Sequence, residues 1–78
     1  MLNKDIFRKE FEKLAVIYPN WKLDITDKKK LKIWYERFRD VDDKNFVWAI
    51  DDYINNERFN PTIAGIKEYI KNAGVTIV

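Results

Sequence analysis

Asp40, Asp42, Asn45 and Asp51 carry the oxygen ligands that a calcium loop would use. Asp51 and Asp52 are adjacent carboxylates of the kind that acid–base chemistry needs. Neither arrangement works. A calcium loop opening at Asp40 requires glycine at its sixth position for the turn and a bidentate glutamate at its twelfth. Those positions hold Asn45 and Asp51, and the fifth holds Lys44. Capping of a helix is the role that the spacing favours for these acids. Neighbouring residues on a helix point about 100° apart, so Asp51 and Asp52 cannot share a proton and form a solvated face instead.

The rest of the catalytic repertoire is missing. The 78 residues include no histidine and no cysteine, and no serine occurs anywhere. Thr26, Thr62 and Thr76 have no imidazole to activate them. Gly65 and Gly74 stand alone, so no glycine-rich loop can cradle a phosphate. The expectation is a non-enzymatic binding module with no catalytic residues, no metal and no cofactor. A cysteine-free chain suits a reducing cytosol, and no apolar run reaches the length of a bilayer span. A soluble cytoplasmic protein is expected.

Binding residues are easier to nominate. Net charge is only +2, but residues 1–39 carry +5 and residues 40–78 carry −3. Such asymmetry suits oriented docking on a charged partner, and it is also compatible with an ordinary solvated surface. Lys28, Lys29, Lys30, Lys32, Arg37 and Arg39 make one segment strongly basic. A lysine cluster at a helix start opposes the helix dipole. A nucleic-acid phosphate backbone is therefore a candidate partner, although nothing resembles a base-reading helix rich in Asn, Gln and Arg. Ile33 and Trp48 fall on the polar sides of their helices. An exposed Trp is a common interface anchor, and covering a nearby loop or the Val75–Val78 segment is the alternative role for Trp48. The candidate partner-binding set is Trp48, Ile33, Lys28, Lys29, Lys32 and Arg37.

The elements that position these residues follow from apolar spacing. Phe7, Phe11, Leu14 and Tyr18 make one stripe on a helix from about Lys4 to Ile17, widened by Ile6 and Ala15, with Arg8, Lys9, Glu12 and Lys13 on the other side. Tyr18-Pro19 ends it. Trp21 to Ile25 is expected as an extended loop laid across the core, with Trp21 as a lid. The second helix starts at Thr26 or Asp27 and turns Leu31, Trp34, Tyr35 and Phe38 inward. The third starts after Asp42, runs to about Asn55, and buries Phe46, Ala49, Ile50, Tyr53 and Ile54. Asn60 or Thr62 caps the fourth, which packs Ile63, Ile66 and Ile70 and stops before Gly74. The fold class is all-α, a compact bundle of four short amphipathic helices. Residues 1–74 form a single helical domain and residues 75–78 a C-terminal tail.

The order of these features carries a resemblance. Phe11-x-x-Leu14-x-x-x-Tyr18-Pro19 precedes Trp34-Tyr35. Phe46-x-x-Ala49-Ile50-x-x-Tyr53-Ile54 and Pro61-Thr62-Ile63-Ala64-x-Ile66 follow. Over about residues 7–70 the chain resembles the N-terminal domain of the small helicase loader/inhibitor proteins of phages that infect Gram-positive bacteria. The resemblance implies a phage DNA-replication adaptor in the cytoplasm of the bacterial host. Such an adaptor binds a hexameric replicative helicase, restrains it, and links it to an origin-bound replisome organiser. It also implies a mobile C-terminal tail, where this sequence stops at Val78. The competing readings are a small nucleic-acid-binding module that uses the basic second helix, and an inhibitor of another host replication protein.

Overall fold

Asn3 sets the start of the first helix. Its side-chain oxygen accepts hydrogen bonds from the amides of Asp5 at 2.8 Å and Ile6 at 3.2 Å. That satisfies two of the donors that every helix start leaves unpaired. The computed structural model describes residues 1–73 and contains α1 (Lys4–Ile17), α2 (Lys28–Phe38), α3 (Asp43–Asn56) and α4 (Ile63–Ala73). It is an all-α bundle with no strand among the described residues. No described helix is long and apolar enough to cross a membrane. The expected stop at Gly74 and the tail at 75–78 lie outside the described residues.

Each later helix also has its cap. Of the two candidates for α2, Asp27 takes the role, accepting from Lys29 N at 3.0 Å and Lys30 N at 3.3 Å. Thr26 instead bonds Asp24 through both its amide and its hydroxyl. Asp42 caps α3 by accepting from Lys44 N at 3.2 Å, and Asp43 accepts from Asn3 N at 2.8 Å. Asp42 of the failed calcium pattern is thus committed to a helix start. Thr62 caps α4: its hydroxyl accepts from Gly65 N at 3.0 Å and its carbonyl from Ile66 N. Pro61 lies just outside that helix and is buried.

The inward stripes meet as expected. Phe11, Leu14, Phe38, Phe46, Ala49, Ile50 and Ile66 are fully buried, and Phe7, Tyr18 and Tyr53 nearly so. Trp21 leaves α1 in an irregular segment and packs edge-on against Trp34, with ring centroids 5.6 Å apart. Two core residues depart from the pattern. Leu2, outside any helix, is buried, and its amide donates to Arg39 O at 2.7 Å. Leu2 and Phe7 occupy the two positions of a hydrophobic staple around the Asn3 cap. Glu10 is buried as well and accepts from Lys13 Nζ at 2.9 Å. Lys13 therefore does not simply face solvent: it bridges Glu10 of α1 to Asp51 of α3. Burial lowers its pKa, but the bonds to Asp51 and Glu10 outweigh that and hold it above the ordinary 10.5.

The helix pairs are spaced differently. Between α3 and α4, Gly65 lies against the ring of Tyr53. A Cβ at residue 65 would sit 3.2 Å from Tyr53 Cε2 and 3.0 Å from Thr62 Oγ1. Between α1 and α2 only large rings meet: Phe11 with Trp34 at 5.1 Å and Phe7 with Tyr35 at 5.3 Å, both edge-on. The second pair leaves a groove.

Candidate partner-binding surface

The groove runs between the N-terminal half of α1 and the length of α2. Its volume is about 600 Å³. Phe7, Leu31 and Tyr35 form its apolar lining, and Lys4 and Arg8 line it from α1. Lys28 and Lys32 face them from α2, with Arg39 and Glu36 also present. Lys4 and Arg8 are one helical turn apart, as are Lys28 and Lys32 and the apolar pair Leu31 and Tyr35. Side chains at that spacing lie on one face.

Local chemistry holds the lining in place. The Tyr35 hydroxyl donates to Leu2 O at 2.7 Å, which ties α2 to the segment before α1. Lys4 Nζ stands 5.7 Å from the centre of the Tyr35 ring, a cation–π distance. Arg8 makes one loose pair, with Glu12 at 3.7 Å. Lys28, Lys29, Lys30, Lys32, Arg37 and Arg39 make no ion pair with another described residue. The first turn of α2 contains three lysines and no acid. These charges meet the positive end of the helix dipole, so their placement costs stability in the free chain.

The sequence-nominated residues divide into three groups. Lys28 and Lys32 line the groove. Lys29, Ile33 and Arg37 are exposed and, at successive spacings of four, share an outer ridge of α2. Ile33 is 54% exposed. Trp48, 47% exposed, lies on α3 in a separate shallow hollow with Ile6, Val47, Asp43, Lys44 and Asp51. The structure thus joins two of the six nominated residues in one groove and sets Trp48 apart from them. Sequence reading missed the contribution of Lys4, Arg8 and Arg39. The matched turn spacing of Lys4/Arg8 and Lys28/Lys32 was the available signal.

Residues 3–67 match the family model for the N-terminal domain of the phage helicase loader/inhibitor. The chain belongs to this family. No curated protein and no solved structure matches the chain. The matched region contains α1, α2 and α3 complete and the first turn of α4. The groove residues from Lys4 to Arg39, the outer ridge of α2 and the Trp48 hollow all belong to the family domain.

Proposed function

We propose that this chain is a non-enzymatic adaptor of phage DNA replication that binds a hexameric replicative helicase, loads or inhibits it, and links it to an origin-bound replisome organiser. Family membership across residues 3–67 carries this reading. The unpaired cations of α2 and the half-exposed Trp48 support it as contact residues. Lys28, Lys29 and Lys32 supply charge, Arg37 extends it along the ridge, and Ile33 and Trp48 supply apolar anchors. Residues 1–74 act as one domain in this account, with 75–78 as a tail. The working place is the host cytoplasm. Co-elution with the cognate replicative helicase, with and without ATP, tests the reading. A stable complex is expected, and its absence in both conditions contradicts the reading.

A second reading has one specific observation in its favour, the lysine run at the start of α2. Such a cluster can hold a phosphate backbone by releasing counterions, and its affinity then falls steeply with salt. Titration with single- and double-stranded DNA at rising salt separates the readings. Undetectable DNA binding at low salt removes the second.

A further inference from the structure

We propose that the groove between α1 and α2 takes an acidic polypeptide segment of a partner protein that inserts an apolar side chain between two rows of cations. The inference deepens the adaptor reading, on which it rests for the partner being a protein. Charge complementarity names the sign of the occupant. Lys4 and Arg8 form one wall and Lys28 and Lys32 the other, and Glu36 is the single carboxylate in the lining. The apolar floor names the second property. Leu31 and Tyr35 lie one turn apart along α2, so an occupant made only of charge would leave them facing water or desolvate against them without gain.

A nucleic acid meets the first condition and fails the second. Bases bind such a groove by stacking on aromatic faces. Tyr35 is already engaged there: Lys4 is 5.7 Å from its ring centre, Phe7 meets it edge-on at 5.3 Å, and its hydroxyl is committed to Leu2 O. Phe7 is itself buried. The lining has no side-chain amide and no uncommitted hydroxyl with which to read a base edge. An acidic peptide satisfies both halves of the groove at once. Its carboxylates pair with the lysines and arginines, and a Leu- or Phe-like anchor covers Leu31 and Tyr35. The volume of about 600 Å³ suits anchor side chains, falling in the range of ordinary ligand pockets.

The test uses the full chain and a labelled glutamate-rich peptide with two central leucines, followed by fluorescence anisotropy at physiological salt. The peptide is expected to bind. Replacing its leucines with glycine weakens binding about tenfold or more, the scale of a buried leucine. Lys32→Glu or Arg8→Glu weakens it about tenfold. Lys67→Glu, on the exposed surface of α4 outside the groove, leaves it unchanged. An oligothymidylate of equal charge binds more weakly than the peptide. The proposal is overturned if the peptide does not bind, if the glycine form binds as well, or if the oligonucleotide binds as tightly. Helicase co-elution of the unaltered chain runs in parallel. Co-elution without peptide binding sinks the groove proposal and spares the adaptor reading. Peptide binding without co-elution does the reverse.

Discussion

The α3–α4 pair and the α1–α2 pair are built from the same kinds of residue and end with opposite properties. In the first, a glycine lets a helix backbone approach an aromatic ring, and tyrosine hydroxyls fasten the connection. Tyr18 donates to Glu57 O at 2.7 Å, Tyr53 to Phe59 O at 3.1 Å, and Tyr69 to Glu57 Oε1 at 2.9 Å. In the second, aromatic rings hold the helices apart and lysines gather where the helix dipole disfavours them. Close packing commits its side chains to stability and leaves no room for a ligand. Ring-spaced packing leaves a groove, and its unpaired cations have no partner within the described residues.

The largest effect comes from cutting the joint between the two halves. Phe38 of α2 is fully buried and lies 5.6 Å from Phe46 of α3, ring centre to ring centre. Phe38→Ala is expected to cost about 3–5 kcal/mol, the usual range for a buried ring, measured by urea denaturation. Because α2 meets α1 mainly through Trp34 and Tyr35, amide exchange in this variant should rise most in α2. Equal loosening of α4 would erase the distinction between the halves.

Next is Gly65→Val, which fills the close approach on the other side. Its branched side chain meets Tyr53 and the Thr62 hydroxyl, and overpacking of this kind costs about 1–3 kcal/mol. Thermal melting reads it, and helicase binding by the folded fraction should not change. A neutral result would mean that the α3–α4 contact yields easily.

Lys28→Glu should act in the opposite sense on the two properties. An acid in the first turn suits the helix dipole, so stability is expected to rise by about 0.3–1 kcal/mol while partner binding falls. Loss of both would assign Lys28 a structural role. Trp48→Ala, on α3 but outside the close contact, should weaken partner binding with little change in melting temperature. A large fall in melting temperature would place that side chain in the core and remove it from the interface.

The smallest effect at neutral pH becomes visible in alkali. The hydrogen bond to Glu57 pushes the Tyr69 pKa up to about 12, and burial raises those of Tyr18 and Tyr53. A phenol whose pKa is raised on folding contributes stability that is complete below the unfolded value of about 10. That stability is lost as pH rises through the folded value. The urea midpoint should therefore decline from about pH 10 toward pH 12, and Tyr69→Phe should flatten the decline. A midpoint independent of pH across that window would contradict the Tyr69–Glu57 bond.

Most of this architecture was legible from spacing. Phe7, Phe11, Leu14 and Tyr18 recur at the helical period, and burying that stripe is what the bundle does. Asp27 and Asp42 could be assigned as caps because their side chains reach local amides, a matter of two or three residues. Thr62 was legible as one of two candidates, and only the tertiary position of Pro61 chooses between them. Leu2 escaped notice because a single apolar residue before a helix has no period, although its place opposite Phe7 around Asn3 was a usable sign. Glu10 and Lys13 escaped because a charge on the apolar boundary is buried only when a partner arrives from another helix, here Asp51. The groove was hidden for the same reason. The basicity of α2 is local, but the distance between α1 and α2 depends on how Phe7, Phe11, Trp34 and Tyr35 meet edge-on.

Hydrogen–deuterium exchange on the chain alone and in complex with the cognate replicative helicase tests the division most directly. The account predicts slowed exchange across the N-terminal half of α1 and along α2, with α4 unchanged. Slowing confined to α3 and α4, with the groove helices unaffected, would contradict it.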